Sequence, residues 1–460
     1  MNKHVNIWLA ALTALSLTAC SASAPEETET VGNTGTTEED SEVMTNDQDG
    51  EHVIEVSGKS ESYSGITIEK TGNSSGDEAD FYGENSAVFA SESADLKLDH
   101  ITVRTAGTHA NAVFSYGTGT TVTISNSTID TSGNCSGGLM TTGGGTMIAE
   151  NLNVHTTGNS SAAIRSDRGG GTVNVTGGKY VTEGTGSPAI YSTADITVND
   201  AELTSAASQG VVVEGKNSVE LNNVTLTADN TTKNSDKSEY FQAVMIYQSM
   251  SGDASVGTAE FTMNGGTLVN MNGDIFFVNN TQAEINMSDV RITNISGGVF
   301  LRAAAAGWGK SGSNGGHVTL RASGQTFAGD ILVDDISSLN LYLTDSSDYS
   351  GSINPDGEEG VVYVEIEAGS HWKLREDSYI TSLTCQADSI DLNGYKLYVN
   401  GEEYTEGTAV EMPASSGSEG MPEGNEPPER PEGQGEPPAK PDGQGIPPEK
   451  PEGGEPPAKP

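Results

Sequence analysis

The chain has 460 residues, with 65 Asp and Glu against 22 Lys and Arg, which gives a formal net charge of −43. A surplus of this size argues against nucleic acid or an anionic membrane surface as a partner, because both would be repelled. Aromatic residues make up only 6% while glycine is abundant at 57 residues, so the composition does not predict one compact core of large side chains.

The N-terminus has the pattern of an export signal. A basic start is followed by an apolar run from Ile7 to Leu17, which is too short to span a membrane. The residues “LTAC”, which end at Cys20, resemble the lipobox of bacterial lipoproteins. The resemblance implies that residues 1–19 are a signal peptide and that Cys20 carries a lipid on the outer face of the bacterial cell membrane. The alternative is an ordinary signal peptide that happens to contain a cysteine.

Both ends of the mature chain are predicted to be disordered. Residues 20–51 are expected to form an acidic tether, because Ser21 to Glu51 contain ten acidic residues and neither Lys nor Arg. Residues 407–460 repeat Pro pairs, as in “EPPERPEGQG” and “EPPAKPDGQG”. Such a segment favours extended polyproline II and is interpreted as a spacer, with a ligand for a partner as the alternative.

Three short patterns recur in a fixed order between residues 52 and 406. The first alternates like a strand, the second follows a polar Asn, Asp or Gly corner, and the third is more apolar. The second pattern ends in steps of 26, 25, 26, 23, 23, 42 and 24 residues, at Val103, Ile129, Val154, Tyr180, Leu203, Leu226, Leu268 and Ile292. Three strands per roughly 23–26 residues predict an all-β fold, a right-handed parallel β-helix of about eleven coils.

The residue before each of these apolar positions is expected to face outward. The row reads Thr102, Thr128, Asn153, Lys179, Glu202, Thr225, Thr267 and Arg291. An ice-binding face would need a uniform row of threonine, so this mixed row argues against that function.

Insertions interrupt the period at three places: the first insertion (Gly72–Asn85), the second (Asp229–Gly257) and the third (Ala303–His317). Insertions in repeat proteins map to loops on one face, which is often the binding face. From about residue 371 the side chains become bulkier, which predicts a C-terminal cap over the open end of the repeats.

The stretches “GDEADFYGENSAVFAS” and “IDLNGYKLYVNG”, with the repeats between them, resemble exported right-handed parallel β-helix repeat lipoproteins of anaerobic Gram-positive bacteria. The resemblance covers roughly Val53 to Gly401. These proteins share their wider architecture with bacterial adhesins and pectate-lyase-like enzymes. The resemblance therefore implies the fold and leaves the function open.

No catalytic constellation is predicted with any specificity. Hydrolases on this architecture need paired carboxylates, but Asp334 and Asp335 stand without the accompanying Gly-His-Gly and Arg-x-Lys elements and are interpreted as a solvated corner. A lyase needs a base beside acidic residues, and the nearest cluster is Arg165, Asp167 and Arg168 in “AIRSDRGGG”. The alternative for this cluster is an exposed, ion-paired corner.

Four further residues are candidates for ligand contacts. Arg302 and Trp308 lie at the third insertion, and Tyr240 and Tyr247 in the second. Trp308 is equally compatible with a sugar-stacking platform and with a loop anchor.

No cofactor is predicted. The seven His residues show no metal-ligand spacing, so no metal ligands are assigned. Scattered acidic residues are compatible with Ca²⁺ uptake, but no Ca²⁺ motif is present. Cys135 and Cys385 are expected to be too far apart to form a disulfide.

The leading prediction is a lipid-anchored, non-catalytic surface module that binds a glycan or another cell-surface ligand. The alternatives are a polysaccharide lyase or hydrolase, and a structural envelope spacer.

Overall fold

The computed structural model of the chain describes residues 42–233, 235, 237–357 and 360–411. The predicted signal peptide, Cys20 and the predicted tail from residue 412 onward lie outside the described residues. Within them the chain is nearly all β, with one short helix, α1 (Asp77–Phe81). No helix of the described part is both long enough and apolar enough to cross a membrane.

The strands follow one another closely along the chain. Those of the N-terminal half are β1 (Val43–Asn46), β2 (Ile54–Ser57), β3 (Ser60–Ser64), β4 (Thr67–Lys70), β5 (Val88–Ser91), β6 (Asp95–Asp99), β7 (Thr102–Thr105), β8 (Val113–Tyr116), β9 (Thr121–Ser125), β10 (Thr128–Thr131), β11 (Leu139–Thr142), β12 (Gly145–Thr156), β13 (Ile164–Ser166), β14 (Gly171–Thr182), β15 (Ile190–Ser192), β16 (Asp195–Asn199), β17 (Glu202–Ser205), β18 (Val211–Glu214), β19 (Ser218–Asn222) and β20 (Thr225–Ala228). Those of the C-terminal half are β21 (Gln242–Tyr247), β22 (Thr258–Asn264), β23 (Thr267–Asn270), β24 (Asp274–Asn279), β25 (Thr281–Ser288), β26 (Arg291–Asn294), β27 (Leu301–Ala303), β28 (Gly316–Ser323), β29 (Thr326–Ala328), β30 (Ile331–Val333), β31 (Ser338–Thr344), β32 (Asp348–Ser350), β33 (Val361–Ile366), β34 (His371–Lys373), β35 (Ser378–Ile380), β36 (Ser382–Thr384), β37 (Ile390–Asp391), β38 (Leu397–Val399) and β39 (Glu402–Glu403).

Most strands pair in parallel with their equivalents in the next repeat, which confirms the predicted all-β, parallel, repeating architecture. The first and second strands of the repeats form two ladders within one 21-stranded sheet. The long strands β12 and β14 belong to both of these ladders and join them. The third strands form an 11-stranded sheet, the third ladder, which runs from β2 to β30. Short strands of this kind need such partners, since none is stable alone.

The polar corner before each second strand has a physical cause. Asn126, Asn151, Asp200 and Asn223 all have φ between 48° and 54°. This left-handed conformation is tolerated best by Gly, Asn and Asp, so the corner residues recur with the repeat. The pairing register also puts the predicted row from Thr102 to Arg291 in line, one residue per strand of the second ladder.

One continuous cluster of buried residues, drawn from all three ladders, forms the core. Its members are mostly Val, Ile, Leu and Ala, as the alternating patterns require. Toward the C-terminal end the core also takes up larger rings, of which Trp372 is completely buried.

The folded region extends beyond the predicted boundaries at both ends. Strand β1 lies in the segment expected to be tether, and it pairs with β4 because Met44 can pack against the core while the strand covers the open edge of the second ladder. At the other end β38 pairs antiparallel with β39, and Val410 bridges Cys385. An antiparallel pair ends the parallel stacking, as a cap requires.

The second ladder is interrupted, and we call this break the seam. Strand β26 pairs with β23 on one side, whereas β29, which has the equivalent place in the next repeat, pairs with β32 in a separate sheet of four strands. The side chain of Gln325 spans the break: it accepts a hydrogen bond from Val290 N and donates one to Val290 O, both at 2.8 Å. Among the described residues, each seam strand therefore has one edge without a strand partner.

Four glycines stack at one corner of successive repeats: Gly107, Gly133, Gly158 and Gly184. A Cβ on Gly133 would lie 1.9 Å from the carbonyl oxygen of Gly107. We expect Gly133→Ala to lower the free energy of unfolding by about 3 kcal/mol, because the two backbones would have to separate. Chemical denaturation measures this loss. Gly65→Ala is the control, since its Cβ meets nothing within 4 Å and only its φ of +68° is unfavourable, at about 1 kcal/mol. Equal losses in the two variants would contradict the close-packing argument.

Candidate functional site

The outer side of the third ladder is covered by other parts of the chain. From β5 to β27 its outward residues are in register and are buried or half-buried: Phe89, Phe114, Met140, Arg165, Tyr191, Val212, Met245, Phe277 and Arg302. Two apolar clusters occupy the ends of this row, one around Phe114 and one around Trp308. Polar and charged residues lie between the two clusters. We call this surface the covered face.

Arg165 and Asp167 form a buried ion pair at the centre of the covered face. Arg165 points away from the core as predicted, but only 15% of its side chain and 4% of that of Asp167 is exposed. Their N–O distance is 2.7 Å. Burial raises the pKa of the Asp167 carboxyl, and the charge of Arg165 offsets this only in part. The exposed corner that the sequence suggested is therefore a buried one, because two insertions lie over it.

Arg168 connects these two insertions. Its Nε donates to Asp253 at 2.8 Å in the second insertion, and its Nη1 lies 3.1 Å from Asp77 in the first. Its guanidinium also lies over the ring of Phe81, 3.7 Å from the centroid. Thr142 fixes the same helix by donating to the Phe81 carbonyl at 2.7 Å. Arg168 thus holds α1 and the second insertion together.

These contacts give the arginines a structural role and argue against their use as a lyase base. The Asp253 hydrogen bond raises the pKa of Arg168, and the Asp167 charge raises that of Arg165 despite burial. Both guanidinium groups therefore stay protonated, whereas a base must accept a proton.

A second polar network beside this pair was not predicted from the sequence. The buried Glu214 accepts hydrogen bonds from the Tyr191 hydroxyl and the Ser249 hydroxyl. Burial raises the pKa of Tyr191 well above its usual value, so the phenol stays a donor. Glu214 is the last residue of the apolar “VVVE” strand. The only sequence signal for it was a charged residue at the end of three valines.

The four predicted ligand contacts mainly pack the loops onto the covered face. Trp308 and Tyr247 are each 8% exposed, and their rings meet edge to face at 5.2 Å. Arg302 pairs with Asp274 at 2.6 Å and lies over the ring of Tyr240, 4.3 Å from its centroid. Trp308 is thus a loop anchor here, and the third insertion covers the sheet instead of presenting an open platform.

Asp334 also has a structural role. Its carboxylate accepts hydrogen bonds from the backbone N–H groups of Ala305, at 2.7 Å, and Ile336, at 3.3 Å. Asp335 is exposed to solvent. Asp335 is thus solvated, as predicted, whereas Asp334 is half-buried and holds the adjoining backbone.

Asp80, His109 and Cys135 come together at one edge of the covered face. One possible ligand atom from each residue lies within 4.8 Å of the other two. His109 Nδ1 is 2.9 Å from Asp80 Oδ1. The Asp80 contact, with the Cys135 side chain, raises the pKa of His109 to about 9. No spacing pattern in the sequence indicated this cluster, because its members come from one insertion and two corners.

Open grooves line the seam. One has a volume of about 620 Å³ and is lined by Thr225, Thr267, Asp289, Arg291 and Gln325, among others. A second, of about 500 Å³, is lined mainly by polar residues and glycines and shares Ile292 with the first. Together they form a polar trough bounded by the two seam strands, each of which has one edge without a strand partner in the described part of the chain.

Comparisons with protein-family models, with curated proteins and with solved structures found no match to this chain.

Proposed function

We propose that the chain is a non-catalytic surface module that binds a neutral glycan in the trough along the seam. In this proposal the repeats form a right-handed parallel β-helix of about eleven coils, and a lipid on Cys20 holds it at the outer face of the bacterial membrane. The eleven parallel strands of the third ladder and the core shared by the three ladders support the architecture. The right-handed crossover preference of parallel strands supports its hand.

The trough is the observation that carries the glycan assignment. It offers hydroxyl, amide, carboxylate and guanidinium groups close together, and one edge of each strand beside it has no strand partner among residues that the structure describes. Sugars are recognised by such convergent polar groups in a concave site. The two adjoining grooves together can accommodate several consecutive sugar units of one glycan chain. The net charge of −43 disfavours a uronate polymer and favours a neutral one.

Binding is tested with the full chain and a panel of neutral and acidic polysaccharides, measured by calorimetry. We expect Arg291→Ala to weaken binding of a neutral glycan by about tenfold or more, because a hydrogen bond to a charged donor is worth about 1.5–3 kcal/mol. Lys179→Ala is the matched control: it removes an exposed cation from the same outward row, away from the trough. We expect Lys179→Ala to bind as the wild type does.

Three outcomes would contradict the proposal. If no glycan of the panel binds, the result favours the alternative of an envelope spacer. An equal loss of glycan affinity in the Arg291 and Lys179 variants would show that the trough is not the binding site. Release of new reducing ends or unsaturated sugars would make the protein an enzyme.

A further inference from the structure

We propose that Asp80, His109 and Cys135 form a binding site for a thiophilic divalent transition-metal ion such as Zn²⁺. The three side chains come from α1 and from the corners after β7 and β10, so they are far apart in sequence and adjacent in space. A carboxylate, an imidazole and a thiolate are each established zinc ligands. Three protein ligands leave the fourth position of a tetrahedral ion open to water or to another group.

The spacing of the ligand atoms suits such an ion. Zinc bonds of about 2.0–2.3 Å at tetrahedral angles put ligand atoms about 3.3–3.8 Å apart. Here the three atoms lie within 4.8 Å of one another, and the closest measured pair, His109 Nδ1 and Asp80 Oδ1, is at 2.9 Å. The observed range of separations therefore includes the distances that a bound ion requires.

The backbone sets two of the ligands in place before any metal arrives. His109 and Cys135 occupy equivalent corner positions, with φ of 54° and 56°. The backbone N–H of His109 donates to Asn134 O at 2.9 Å, so the two corners stack directly. In the next two repeats the same position holds Ser160 and Gly186. Among these four stacked corners, strong metal donors therefore occur at the two nearest to Asp80.

The Nδ1 atom of the imidazole is also left without a well-aligned hydrogen bond. His109 Nδ1 is buried, and although Asp80 Oδ1 is 2.9 Å away, no aligned N–H···O hydrogen bond forms. The contact is short but poorly aligned, so a metal that takes this nitrogen displaces a proton and breaks no aligned hydrogen bond. Cys135 is a free, half-buried thiol beside it. Helix α1 cannot withdraw Asp80 easily, because Arg168 and Thr142 hold it in place.

The metal site does not depend on the glycan proposal. It lies at the N-terminal repeats, whereas the trough lies at the break after β26. A bound ion would fasten α1 to two repeats and so complete the cover over this end of the face. Metal binding and glycan binding can fail separately.

The test uses the full chain in a Cys20→Ser background, so that the N-terminal thiol cannot contribute. We expect one Zn²⁺ per chain by competition with a chromophoric chelator. Replacement of Zn²⁺ by Co²⁺ should give a near-ultraviolet thiolate charge-transfer band. Cys135→Ser should remove the band and weaken Zn²⁺ binding by more than the about 10- to 100-fold that is typical for the loss of an outer-sphere partner. Asp80→Asn should weaken binding by about tenfold or more.

Two controls match the tested residues. Cys385→Ser removes the other free thiol of the described residues. His155→Gln removes an imidazole that lies between two carboxylates, Asp130 and Glu183, without a thiol nearby. Both should bind Zn²⁺ as the parent does.

A measurement on the parent protein guards against misfolded variants. Zn²⁺ should slow alkylation of Cys135, followed by mass spectrometry of the corresponding peptide, and leave Cys385 unaffected. Absence of the thiolate band in the Co²⁺ protein would overturn the proposal. So would parent-like Zn²⁺ affinity in Cys135→Ser, or alkylation of Cys135 at the same rate with and without the ion.

Discussion

Arg165→Ala is expected to lower the free energy of unfolding by about 3–5 kcal/mol, because it leaves the Asp167 carboxylate buried without its partner. The pair is 2.7 Å apart and only 4% of the Asp167 side chain is exposed, so water cannot replace the guanidinium. One hydrogen bond remains, from the backbone N–H of Arg168 at 3.1 Å. Burial already raises the pKa of Asp167, and loss of the Arg165 charge removes the main contribution that lowers it.

A double replacement separates loss of charge from loss of packing. Arg165→Met combined with Asp167→Leu removes both charges and keeps most of the volume. We expect it to recover most of the loss, since apolar residues of similar size often replace a buried ion pair without cost. Arg104→Ala serves as the control, because its ion pair with Glu69 is 56% and 41% exposed and is worth less than about 1 kcal/mol. Chemical denaturation of the four proteins provides all of the values.

The same experiment bears on catalysis. If Arg165→Ala leaves stability unchanged but abolishes an activity on a polysaccharide, the pair is functional and the structural account fails. If stability falls and the double variant restores it, the cluster serves to seat the insertions. The contacts of Arg168 to both insertions favour the second result.

The repeat was predictable because its cause is local. An Asn or Asp at a left-handed corner, such as Asn126 or Asp200, marks each turn, and alternation marks each strand. The outward row from Thr102 to Arg291 followed from the same alternation. Sequence patterns of period two therefore specify which side chains enter the core.

The covered face was not predictable in the same way. Alternation correctly turned Arg165 outward, but whether an outward residue is exposed depends on what packs over it. The contacts of Arg168 cross 85 positions to Asp253 and 91 to Asp77. Nothing in a local pattern encodes such distances. The meeting of Asp80 with two corner residues escaped prediction for the same reason.

The seam could not be predicted from the sequence, because the repeat pattern continues across it unchanged. Gln325 stands where the sequence shows an ordinary polar corner, and β29 follows it as β26 follows its own corner. Only the pairing partners of the two strands reveal that the ladder is broken. A polar residue such as Gln occurs both at a solvated corner and where a side chain bridges a break, so the residue type alone does not distinguish the two.

Trp372→Ala is expected to lower the free energy of unfolding by about 3–5 kcal/mol, because it creates a large cavity in the core. Trp372 is fully buried, and its indole N–H donates to Gly351 O at 2.9 Å. Its ring is also the last of a continuous column, with centroid separations between 4.6 and 5.8 Å, that runs through Phe261, Phe276, Phe300, Phe327, Tyr349 and Trp372. Alanine would leave Tyr349 without a neighbour on one side.

Two further variants separate the contribution of the indole hydrogen bond from that of ring packing. Trp372→Phe keeps most of the ring stacking but leaves the Gly351 carbonyl without its donor, which should cost about 1–3 kcal/mol. Tyr395→Ala removes a ring that is 41% exposed and should cost within about 0.5 kcal/mol. A loss in Trp372→Ala no greater than that in Tyr395→Ala would show that the column does not stabilise the fold.

The place of the loss is as informative as its size. In a repeat protein each unit is stabilised mainly by its neighbours, so weakening the last ring should first open the strands beyond it. Hydrogen exchange on Trp372→Ala should therefore show faster exchange in β35 and β38 while β13 and β15 keep their protection. Uniformly faster exchange along the whole chain would instead mean that all repeats unfold as one cooperative unit. In that case the cap would control the stability of the distant covered face as well.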